Sequence, residues 1–176
     1  LSVEHFTARP DIGADLGDLT ALRAFYRALM DANRVAMLAV DVVDVAGIRA
    51  VAILLKFRLQ PTGYAYAGSL TLPFAAESYV LQIRAVDPTA LSARESSVRL
   101  TDLQNAVDAN GKPRPWEQDP YDPGHRSKFM MNLADLPRYD AQFPDHPLTR
   151  VRQALTDLHA QLAVATEVRW GKGFVY

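Results

Sequence analysis

Four apolar runs joined by links too short to cross over constrain this chain more than any other feature. The runs are Val35–Val45, Arg49–Leu59, Tyr64–Leu72 and Tyr79–Ala85, rich in β-branched and aromatic residues. The links are Ala46-Gly47, Gln60 to Gly63, and Pro73 to Ser78. A parallel connection needs roughly a dozen residues or more, so these neighbours pair antiparallel and the four form a meander.

Side-chain alternation assigns residues to faces. Matching apolar sets pairs Leu59 with Tyr64, Phe57 with Tyr66 and Ile53 with Leu70. It sets Leu72, Leu70 and Gly68 beside Tyr79, Leu81 and Ile83. In the first hairpin, pairing Val40 with Ile53 also opposes Asp44 to Arg49, a favourable charge pair. This register predicts Leu55, Phe57, Tyr66, Leu70, Leu81 and Ile83 on one face, against a helix. The other face then carries Lys56, Arg58, Ala65, Ala67 and Arg84, with Lys56, Ala67 and Arg84 in one row. The simpler reading is a solvated basic face. The functional reading is a shallow patch for an anion or a protein partner.

Helical spacing precedes and follows the meander. Leu19, Leu22, Phe25, Tyr26, Leu29 and Met30 predict an amphipathic helix over about 17–32, capped by Asp15 or Asp18. Ser92-Ala93-Arg94-Glu95 has capping-box form, and a helix from it to about Ala109 would bury Leu100, Leu103 and Val107. Asn110-Gly111 is a natural stop. Pro147 opens a last helix, capped by Asp145 or His146. Its stripe Leu148, Val151, Leu155, Leu158 and Leu162 suits packing on the sheet; a coiled-coil dimer is the alternative, though two heptads are short for one. The fold class is therefore α+β: a four-stranded antiparallel meander flanked by helices, in the order α-ββββ-α-loop-α, within a single domain over 1–176.

Residues 111–146 lack regular periodicity and hold Pro113, Pro115, Pro120, Pro123, Pro137 and Pro144. Structureless segments this long are uncommon inside compact domains. Trp116, Tyr121, Phe129, Met130, Met131, Tyr139 and Phe143 give this one enough apolar surface to order. It is read as an ordered proline-rich wrap, with a helical turn near 136–141 capped by Asp135. Trp116 and Tyr121 join Lys56, Arg58 and Arg84 as the candidate binding patch.

The wrap also holds the chain's densest His and Asp population: Asp119, Asp122, His125, Asp140, Asp145 and His146. Imidazole and carboxylate suit a divalent metal or acid–base chemistry. A metal-assisted hydrolase would use His125 and His146 with Asp119 and Asp122. The spacing fits no metal motif, and HExxH, EF-hand and zinc-finger patterns are missing. Asp-Pro turns and a helix cap explain the same residues more simply. Nucleophile-elbow and phosphate-loop motifs are missing too, Gly171-Lys172-Gly173 being too short for the latter. No cofactor is implied.

Composition bounds the rest. Net charge is −1 with 19 basic and 20 acidic residues, which gives no global attraction to nucleic acid. No apolar run approaches a membrane span. There is no cysteine, so disulfides and thiolate sites are excluded. Both a cytoplasmic protein and an exported one with its leader removed fit. Arginine supplies 15 of the 19 basic residues, and with abundant alanine this points to a GC-rich bacterial genome.

The segments Gly68-Ser69-Leu70-Thr71-Leu72-Pro73-Phe74 and Tyr79-Val80-Leu81-Gln82-Ile83, with the element order, resemble Mog1/PsbP-like proteins. The resemblance covers about 16–108 and 148–162. It implies an α/β/α sandwich and a non-catalytic accessory or binding role, with protein contacts as its currency. It carries over no site residue. The strand pair that such folds often place ahead of the first helix is not read here.

Overall fold

A computed structural model describes residues 1–101, 111–112, 115–165 and 174. Five antiparallel strands form the main sheet: β1 (Ser2–Phe6), β2 (Ala36–Val45), β3 (Ile48–Arg58), β4 (Tyr64–Pro73) and β5 (Ser78–Asp87). Their order across the sheet is β1-β5-β4-β3-β2. The four expected strands are present, and β1 adds a fifth on the outer side of β5. Sequence reading missed β1 because all five of its residues are exposed and it lacks a buried apolar face.

Helix α1 (Leu19–Asn33) starts at Asp18, whose side chain accepts from the Ala21 N–H at 2.9 Å. It stops where Arg34 turns left-handed. Helix α2 (Ala93–Thr101) follows Ser92, whose hydroxyl accepts from the Glu95 N–H at 3.1 Å. Leu100 is 75% exposed, contrary to its expected burial. Leu103, Val107 and Asn110 lie outside the described residues, as does Gly171-Lys172-Gly173. Helix α3 (Pro147–Gln161) is capped by His146, whose Nδ1 accepts from the Leu148 N–H.

Two pairings have the expected register. Val40 faces Ile53, Asp44 faces Arg49, and Leu70 faces Leu81. The β3–β4 pairing differs by one residue: Lys56 faces Tyr66, Leu54 faces Gly68 and Ala52 faces Leu70. That slip reverses the expected faces. Leu55 and Phe57 lie opposite Ala67 and Ala65, away from Tyr66, Leu70, Leu81 and Ile83. Nor do Lys56, Ala67 and Arg84 form a row, since Ala67 lies between Leu55 and Arg84.

Both faces of β3 are apolar, which is why alternation within β3 could not choose. On one face Val51 and Ile53 pack with Met37 and Val40 against Leu22 and Tyr26 of α1. On the other, Leu54 and Tyr66 pack against Leu148 and Val151 of α3. Gly68 lets α3 approach closely, since a Cβ there would lie 3.1 Å from Val151 Cγ1. The α3 stripe is spent on the sheet, with Leu155 and Leu158 in the cluster around Leu70 and Leu72.

The described part of the wrap carries short elements. It pairs β6 (Glu117–Gln118) with β7 (Met131–Asn132), then makes two 3-10 turns, Leu133–Asp135 and Pro137–Gln142. Among the described residues, no helix is long and apolar enough to cross a membrane.

Candidate functional site

The largest concentration of buried charge lies where the sheet, α2, the wrap and α3 meet. Lys56 points from β3 into this junction and is 1% exposed. Its Nζ lies 3.2 Å from Glu95 Oε1 and 3.1 Å from both oxygens of Asp135, above the Tyr64 ring at 4.1 Å. Asn132 donates Nδ2–H to Glu95 at 2.6 Å, and its backbone N–H to Asp135 at 2.8 Å. Asp135 therefore serves Lys56 and the Leu133–Asp135 turn, and does not cap the next one.

A second centre adjoins the first. Arg94 donates to the carbonyls of Ala134 and Leu136 and to Asp140 at 2.8 Å. Arg152 donates to Asp140 and, at 2.9 Å, to the Asp135 carbonyl. Three cations, Lys56, Arg94 and Arg152, thus meet three carboxylates, Glu95, Asp135 and Asp140. The charges balance, as burial away from water requires. Tyr66 forms one wall, and burial beside Asp135 and Glu95 raises its pKa far above the ordinary value. The arrangement ties four elements together. Thr149 completes it, accepting from Arg94 at 2.8 Å and donating to Asp140 at 3.2 Å.

His146 borders this network, edge-on to the Tyr66 ring at 5.5 Å. Its Nδ1 accepts from the helix, so its proton belongs on Nε2, 3.4 Å from Asp87 Oδ2 and not aligned for a hydrogen bond. Burial, with Arg94 nearby, lowers its pKa despite Asp87.

Asp119, Asp122 and His125 have separate partners. Asp119 takes two hydrogen bonds from Arg27, at 2.9 and 3.0 Å, and two at 2.8 Å from the Tyr121 and Asp122 amides. Burial works to raise its pKa, but these donors outweigh it and the net shift is downward. Asp122 accepts from the Gly124 N–H at 2.9 Å, an Asx turn. His125 Nε2 lies 2.9 Å from Asp31. Asp119 and His125 line one hollow of about 10 Å³, too small for more than a water. His146 is elsewhere, and among the described residues no three His, Asp or Glu side chains are grouped to hold a metal.

The residues of the expected binding patch do not converge. Lys56 belongs to the buried network and is not on a solvated face. Arg58 is exposed and stacks over Phe129 at 4.9 Å. Arg84 is exposed and donates to Gln82 at 2.9 Å. Trp116 lies under Arg99 at 4.4 Å, beside Val98 and Leu133. Tyr121 seals the β2 edge: its hydroxyl accepts from the Val40 N–H at 2.8 Å and donates to the Val40 carbonyl at 3.1 Å.

Among the described residues, one sheet surface has no helix over it, though the segment 6–12 borders its Thr71 and Val80 end. It carries Ala65, Ala67, Ser69 and Thr71 of β4 with Val80, Gln82, Arg84 and Val86 of β5, on the face that α1 covers at β2 and β3. Ser69, Thr71, Val80 and Gln82 are half-buried, while Arg84 and Val86 are exposed. Small side chains make its floor shallow. Sequence reading expected Ala65, Ala67 and Arg84 there, but could not see that Lys56 had left it.

Comparison with known proteins brings no relative to this geometry: no family model, curated protein or solved structure matches the chain.

Proposed function

We propose that the chain is a non-enzymatic bacterial binding or accessory domain that acts through protein–protein contacts. In this reading the helices and sheet form an α/β/α sandwich-like layer, as in Mog1/PsbP-like proteins, with the layer over β4 and β5 left for a partner. The observation that carries the proposal is the open face over β4 and β5. Val86 and Arg84 stand exposed at its edge beside the small Ala65, Ala67 and Ser69, which suits a protein surface better than a substrate. Two further features support it. The buried charges satisfy one another, and Asp119, Asp122, His125, Asp140 and His146 each serve a local turn, cap or ion pair.

Tag-free purification from the native host tests the proposal. A partner should co-elute in constant ratio through successive columns. A preparation that never enriches a partner, yet turns over a small molecule, would sink it.

A further inference from the structure

We propose that the cleft between the end of α1, the end of β3 and the loop before β7 binds a small organic anion. The ligand carries at least two negative charges and a flat apolar body. This site is separate from the open sheet face. The cleft has a volume of about 440 Å³, within the usual range for small-molecule sites. Arg34, Arg58 and Lys128 line it, over Val35, Phe57 and Phe129. The amide side chains of Asn33 and Gln60 complete the wall, and no acidic residue is among the described lining.

Charge makes this site unusual for the molecule. The chain carries −1 overall, so carboxylates are plentiful. Arg23, Arg27, Arg94 and Arg152 each pair with one. Arg34, Arg58 and Lys128 come from three separate elements and have no carboxylate partner among the described residues. They are all exposed, yet all border the same hollow. One unpaired cation is ordinary. Three around a concave surface raise the local potential toward anions and favour a ligand with more than one charge.

Two of the three carry a local constraint. The Arg58 guanidinium carbon lies 4.9 Å from the centre of the buried Phe129 ring, a cation–π contact that draws the guanidinium and its N–H edge to the cleft wall. Such an edge matches a carboxylate or phosphoryl group in bidentate fashion. Arg34 sits at the α1 C-cap with φ of 56°, a conformation that glycine or asparagine adopts more readily. Backbone strain is accepted there with a long cationic side chain at the rim. Phe57, half-buried, and Phe129 supply the apolar floor. A bare inorganic ion would leave that floor in water, so the ligand needs a body as well as charge.

Isothermal titration of the full chain tests this with five probes: naphthyl phosphate, naphthalene dicarboxylate, inorganic phosphate, naphthol and hexaglutamate. At least one of the two charged naphthyl probes should bind about tenfold tighter than inorganic phosphate or naphthol. The tighter of the two identifies the head group as phosphoryl or carboxylate. Arg58→Gln and Lys128→Gln should each weaken that probe about tenfold, the loss of one charge-assisted hydrogen bond, with melting unchanged. Arg84→Gln, on the open sheet face, should leave its affinity alone. The proposal fails if neither naphthyl probe binds, if inorganic phosphate binds equally well, or if both variants bind like the parent. Hexaglutamate binding tighter than both naphthyl probes would also overturn it, by assigning the cleft to an acidic peptide. None of these outcomes bears on the open face, which holds or fails by its protein partner.

Discussion

Lys56 stands between Leu55 and Phe57 on a strand whose two faces are both apolar. Along the chain it looks like a solubilising residue at the sheet surface. In three dimensions its ammonium pairs with both Glu95 and Asp135 in a solvent-excluded junction. Removing one member of a buried ionic set costs far more than an exposed pair is worth, because the charges left behind lose their solvation and their partner. Lys56→Met should lower the unfolding free energy by about 3–5 kcal/mol, measured by urea denaturation. A variant as stable as the parent would mean that water or another cation reaches Glu95 and Asp135. The positions most clearly readable from sequence were those with local chemistry: the Asp18 cap, the Ser92–Glu95 contact, and the His146-Pro147 start of α3. Lys56 was not readable, because its partners lie 39 and 79 residues away.

At the scale of elements, each helix end carries its own chemistry. His146 caps α3 through Nδ1 and must stay neutral to do so. Burial and Arg94 lower its pKa in the folded chain from the ordinary 6.5. Above 6.5 both folded and unfolded chains hold it neutral. As pH falls below 6.5 the unfolded chain gains a proton first, so stability declines until the folded ring also titrates. The Asp119 carboxylate, held down by Arg27 and two amides, contributes in a lower window. Its stability is present above about 3.8 and is lost as pH falls through its lowered folded value. His146→Asn retains a good cap and removes the titrating ring. Its melting temperature should fall less than the parent's between about pH 7 and 5. Equal slopes would show that His146 does not titrate in that window. Strand boundaries and the antiparallel meander were readable because the links are short. The β3–β4 register was not, since Val51, Ile53, Leu55 and Phe57 alternate with Ala50, Ala52 and Leu54 on a strand buried from both sides. β1 was invisible for the opposite reason, having nothing buried at all.

For the whole molecule, the interior uses its charges to hold elements together, while the described exterior includes the sheet face over β4 and β5 and the cationic cleft proposed above. The wrap closes the β2 edge with Tyr121 and ties to α1 through Asp119 and Arg27. On our reading, function resides in what the wrap and helices leave open, not in the buried network at their centre. Ser69, half-buried in the middle of β4, points onto that open face. The most direct test is quantitative capture from an extract of the native host, comparing the parent chain with Ser69→Arg. A long charged side chain there should abolish recovery of the co-eluting partner while stability stays within about 0.5 kcal/mol. Undiminished capture by a folded Ser69→Arg chain would contradict the assignment of the open face as the binding surface.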